Sequence, residues 1–179
     1  MRKWYFMIIL VLITILVACG EREYEARDVN PDTDVCEVCN MAVPANQHAT
    51  QIILEDGKHL MFDDLGCLYK WKVDHPNETI GAEFVRDFHT EEWMEVDTAT
   101  FVYDKDIMTP MAYNIISFSD KTDAEEYIEA EGIGEILEPS DLENHHWERN
   151  KEMMMKHKEM MEEHDHGSED DMENMEEEK

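Results

Sequence analysis

Asp34–Cys67 reads "DVCEVCNMAVPANQHATQIILEDGKHLMFDDLGC", and its second half carries the pattern that sets the fold. "ATQIIL" (49–54) and "HLMF" (59–62) are apolar runs separated by "EDGK", whose glycine supplies the turn of a β-hairpin. "DDLGCLYKWKVD" (63–74) follows, with Leu65, Leu68, Tyr69 and Lys72 at helical spacing. Asp63 or Asp64 stands where a helix N-cap is needed. "AEFVRDF" (82–88) then predicts a third strand. The order is ββαβ.

That order recurs downstream. "ATFVYD" (99–104) and "AYNIISFS" (112–119) read as strands. "SDKTDAEEYIEAEG" (119–132) reads as a helix with Ala124, Tyr127 and Ile128 on one face and a glycine stop. "GEILEP" (134–139) closes the second unit. The expected class is therefore α+β, with two tandem ββαβ units forming one small domain over residues 35–138. About 100 residues suffice for one core.

The first half of the opening stretch carries chemistry. "CEVCNM" places Cys36, Cys39 and Met41 within six residues. Thiolates and thioethers are soft donors that favour Cu(I) over Mg(II), Ca(II) or Mn(II). Cys39 and Met41 are two apart, so in an extended segment both sulfurs point the same way. Cys67 offers a third thiol. Spacing leaves three readings open: a metal site, a structural disulfide, or a thiol-disulfide oxidoreductase pair of Cys36 and Cys39. A structural zinc-binding surface module of Cys36, Cys39 and Cys67 is the other metal alternative. Asp63 and Asp64 read better as helix caps than as a hard-cation site, and strand-end histidines such as His48 and His59 are usually solvated. Cys67 near a helix start is expected to have a lowered thiol pKa. No catalytic constellation stands out, so the chain reads as a binding protein rather than an enzyme.

The chain opens "MRKWYFMIILVLITILVACG", two basic residues and then an apolar run from Trp4 to Val17. That run is short for a membrane span but suits a signal peptide over residues 1–18. "LVAC" resembles the lipobox of bacterial lipoproteins, which implies lipidation at Cys19 and a membrane-anchored location outside the cytoplasm. Residues 19–34 are expected to be a lipidated, polar tether. Removing residues 1–18 takes Arg2 and Lys3 from the 15 basic residues and none of the 44 acidic ones, moving the net charge from −29 to −31. Such a surface repels nucleic acid and attracts cations. With Cys19 lipidated, three of the four cysteines remain, and pairing cannot satisfy an odd number.

Residues 139–179 differ in composition. They hold 7 of the 14 methionines and 5 of the 9 histidines. A helix is expected from about Asp141 to Glu163, with disorder from His164 onward. His145, His146, Met153, Met154, Met155, His157, His164 and His166 are candidate weak metal ligands, because soft and borderline donors coincide where other apolar residues nearly vanish.

The stretch 34–67, with CxxCxM, a glycine hairpin and "FDD", resembles the NosL family of lipoproteins accessory to nitrous oxide reductase. Residues 99–136, with the pair Pro110–Met111, resemble that family's later region. The resemblance implies tandem ββαβ units and a Cu(I) chaperone that delivers copper to apo nitrous oxide reductase or another copper acceptor. It ranks Cys39, Met41 and Met111 first as copper ligands, with Cys36 second. Asn40 stands where the family often has glycine, and asparagine also tolerates the left-handed conformation. Ala112 follows the Pro-Met pair in place of the common glycine.

Overall fold

The computed structural model describes residues 23–153 and residue 155. The hairpin forms as β1 (Thr50–Leu54) and β2 (His59–Phe62), with Gly57 at φ 89° in the turn. Helix α1 (Leu65–Asp74) follows, and β3 (Ile80–Arg86) returns on the other side of β1. One strand was not foreseen: β4 (Trp93–Glu95), only three residues long, extends this antiparallel sheet to the order β2-β1-β3-β4. Three residues give too short an alternation to register as a pattern.

The second unit repeats the plan with β5 (Thr100–Tyr103), β6 (Ile115–Phe118), α2 (Lys121–Glu131) and β7 (Glu135–Leu137). Its sheet order is β6-β5-β7, so in both units the first strand is central between its hairpin partner and the strand after the helix. The α+β class and the tandem units hold. Helix α2 starts at an Asp120 N-cap and ends at Gly132 in the left-handed conformation, so its boundaries follow local capping chemistry.

Period-two alternation assigns each face of the second sheet. Val102, Ile116 and Phe118 pack with Ala124 of α2, whereas Phe101 and Ile115 join the larger core beneath β1, β2 and α1. The sheets are stitched where β3 and β6 end. Phe88 N–H donates to the Ser117 carbonyl and Ser117 Oγ to the Arg86 carbonyl. Asp87 accepts from Thr90 and from both the N–H and Oγ of Ser119. Desolvation opposes its charge, but these donors prevail and hold its carboxyl at about 2.

Two flanking segments depart from expectation. The described part of the predicted tether lies on the first sheet: Gln51, fully buried in β1, exchanges hydrogen bonds with the Arg27 backbone. Arg27 also pairs with Asp34 at 2.7 Å. A buried glutamine amide in a central strand needs such partners, and the polar segment supplies them.

The helix expected over 141–163 is broken. Helix α3 covers only Pro139–Leu142, and a second helical turn begins at Lys151. Leu142 is fully buried, and the Trp147 ring stacks on Tyr69 at 4.4 Å. In a continuous helix these two residues would point roughly 140° apart. Leaving the helix lets both face the core. The intervening strap is fixed by Trp147 Nε1 donating to the Leu142 carbonyl and by Asn150 bonding the backbone of Ala112 and Lys105. Among the described residues no helix is long and apolar enough to cross a membrane.

Candidate metal centre

Cys36 to Met41 form a tight turn closed by the Val35–Ala42 bridge, with Cys36 N–H bonded to the Met41 carbonyl. Asn40 takes φ 60°, the left-handed conformation foreseen for it. The turn docks on β2 through Glu37 N–H and the Met61 carbonyl. That brings it against "FDDLGC", where the chain leaves β2 and starts α1.

The two aspartates divide the work there. Asp64 caps α1, accepting from Gly66 N–H at 3.0 Å, and its other oxygen accepts from Thr109 Oγ1 and Met111 N–H. The cap therefore also pins the Pro110–Met111 loop to the helix start. Burial raises the Asp64 carboxyl to about 6 despite these donors. Gly66 is needed because a Cβ there would meet the Tyr113 ring at 2.0 Å.

Asp63 faces the other way. Cys39 Sγ donates to its Oδ2 at 3.2 Å, while Oδ1 is buried with no hydrogen-bond partner. Cys36, Cys39, Asp63 and Cys67 offer donor atoms that all lie within 4.8 Å of one another. All three cysteines are free thiols. The sequence reading assigned Asp63 to capping at most. Its adjacency to Asp64 in "FDD" hid the second role, since only one of two neighbouring aspartates can cap a helix.

Electrostatics single out Cys36. The Cys67 thiol donates to its sulfur, and despite desolvation the backbone N–H groups of Cys39, Asp63 and Val38 add donors, lowering its pKa to about 7. Burial first, and Asp63 and Cys36 beside it, push Cys39 up to about 12. Cys67 is raised as well, against expectation for a helix start. It donates a hydrogen bond to Cys36 and so holds its own proton, is buried, and faces the negative charge of Cys36, Asp63 and Asp64, which outweighs the helix N-terminus. Cys36 is thus the most acidic of three thiols gathered around a common centre.

Met41 is 47% exposed on the outer side of the same turn. Met111 is buried, with its sulfur 3.8 Å from an Arg149 nitrogen. Ala112, next to Met111, takes φ 57°, a left-handed conformation. His48 and His59 do not join the cluster. His48 packs edge-on against Phe88, and burial lowers it to about 4, so it is not the solvated histidine expected. In the tail, His145 contacts Tyr103 and Trp147, His146 is exposed beside Glu148, Met153 sulfur accepts from Asn114, and Met155 is exposed. The expected signal peptide over residues 1–18, Cys19, Met154, His157, His164 and His166 lie outside the described residues.

The NosL family model matches residues 29–147, about two thirds of the chain. The chain belongs to the NosL family. That match begins within the segment laid on the first sheet and ends at Trp147 of the strap, so part of each flank falls within the family's span. A solved structure, the copper chaperone NosL from Shewanella denitrificans, matches with a TM-score of 0.57 at 22% identity, covering 65% of this chain and 94% of that one. The tandem-unit fold is thus shared with a NosL protein. No curated protein matches the chain.

The oxidoreductase alternative fits this geometry poorly. The Cys36–Cys39 pair lies in a bridge-closed turn rather than at a helix N-terminus, and Cys36 is fully buried. A third thiol and a carboxyl group converge on the pair. Redox exchange has no use for them, whereas a metal ion does.

Proposed function

We propose that this protein is a membrane-anchored Cu(I) carrier working outside the cytoplasm, which delivers copper to nitrous oxide reductase or another exported copper enzyme. The observation that carries the reading is the convergence of three free thiols, Cys36, Cys39 and Cys67, within 4.8 Å. NosL membership and the copper-chaperone title of the solved relative support copper as the cargo. The lipobox-like "LVAC" supports the anchor.

A carrier must hold its ion tightly yet release it to a partner, so part of the site must be reachable. Cys36 and Cys67 are 0% and 1% exposed, whereas Cys39 is partly exposed and Met41 lies open on the same turn. Cu(I) exchanges by adding an incoming sulfur before losing an old one, which suits entry over Met41 and Cys39 into the buried pair. Thiol protons must leave as the ion binds, so affinity falls with falling pH.

The test is Cu(I) competition against a chromophoric chelator, using residues 20–179, which contain every residue of the described fold and leave out Cys19. Wild-type protein is expected to bind one Cu(I) at this site. Cys39→Ser and Cys36→Ser should each lower affinity at least tenfold. Unchanged affinity in both would eliminate the thiol site.

A further inference from the structure

Asp63 is superfluous for Cu(I), which is satisfied by two or three soft sulfurs. Yet its side chain is fully buried in the thiol cluster, with one oxygen on Cys39 and the other unpartnered. An orphaned buried oxygen costs about 1–3 kcal/mol, so its retention here points to a ligand that the oxygen serves. From this geometry we infer that Cys36, Cys39, Cys67 and Asp63 form a four-donor site for a borderline divalent cation of the Zn(II) class, held when Cu(I) is absent. The inference deepens the copper-carrier reading, since both ions use the same thiols.

Three arguments converge. The first is shape: a tetrahedral ion with bonds of about 2.0–2.3 Å needs donors roughly 3.3–3.8 Å apart. Four donors already within 4.8 Å reach that arrangement by closing in about 1 Å. The second is charge. Three thiolates and a carboxylate carry four negative charges; a divalent ion cancels two of them, and Cu(I) only one, which matters in a buried pocket. The third is donor type. A mixed sulfur and oxygen set suits Zn(II), whereas Ca(II) and Mg(II) need six or more oxygens. The N–H groups directed at the Cys36 sulfur orient that ligand before any ion arrives. Such an ion would fasten the Cys36–Met41 turn to the start of α1 and shield the thiols from oxidation until copper displaces it.

Co(II) serves as a spectroscopic probe for this site and Zn(II) as its competitor, again with residues 20–179, apo and reduced. Wild-type protein should bind one Co(II) with intense tetrahedral d–d bands and thiolate charge transfer. Asp63→Asn should weaken Zn(II) binding at least tenfold. Asp63→Cys should retain tetrahedral Co(II) and raise charge-transfer intensity by about a third, the ratio of four thiolates to three; this arm stands even if Asp63→Asn fails to fold. A six-coordinate Co(II) spectrum, or Zn(II) affinity indifferent to Asp63→Asn, overturns the inference. Loss of Cu(I) binding alone, with Zn(II) binding intact, overturns the copper reading and leaves this one standing.

Discussion

Trp147→Ala is the sharpest probe of the strap that joins the acidic tail to the domain. The indole stacks on Tyr69 with centroids 4.4 Å apart and 15° between planes, and meets Tyr113 and His145 edge-on at 6.1 and 4.9 Å. Its Nε1 donates to the Leu142 carbonyl at 3.1 Å. The stack contributes about 0.5–1.5 kcal/mol beyond burial, and the hydrogen bond about 1 kcal/mol. Burying half of a tryptophan side chain, roughly 100 Å², adds about 2.5 kcal/mol. Truncation also frees the strap, which regains chain entropy and offsets part of the loss. The expected net destabilisation is about 2–4 kcal/mol. Trp147→Phe keeps the ring contacts, loses the hydrogen bond and should cost about 1 kcal/mol. Urea denaturation followed by far-UV circular dichroism measures both. A tryptophan in a solvated tail would cost under about 0.5 kcal/mol, so a Trp147→Ala value that small refutes the packed strap.

Gly66→Ala forces a Cβ into the Tyr113 ring beside the thiol cluster and should destabilise the fold by about 1–3 kcal/mol; a neutral result in thermal melts would mean that α1 and the Met111 loop are not held this close. Asp87 has a folded-state pKa of about 2, below its unfolded value, so its stabilisation is present above about pH 4 and lost as pH falls toward 2. The depression corresponds to about 2–3 kcal/mol at pH 7, and Asp87→Asn should be less stable than wild type by about that amount there, with the gap narrowing below pH 3. Urea midpoints across pH 2.5–7 check this, and a gap independent of pH contradicts the assigned donors.

Much of the architecture is written locally. The apolar runs of residues 49–62, helical spacing after Asp64, and the Asp120 and Gly132 caps each act within a few residues, so the sequence alone determines both ββαβ units, with element boundaries within about three residues. CxxCxM determines that soft ligands gather near the N-terminus of the domain. Other features are properties of distance, not of adjacency. The role of Asp63 depends on β2 delivering it to a turn 24 residues earlier in the chain. The raised Cys67 thiol depends on which neighbour takes the thiolate, and packing decides that. Burial of Gln51 depends on a polar segment folding back over β1, and the broken tail helix depends on Leu142 and Trp147 both finding one core. Helical propensity favoured a continuous helix there, but burying both side chains in the core was worth more than a few backbone hydrogen bonds, so tertiary packing overrode the local signal.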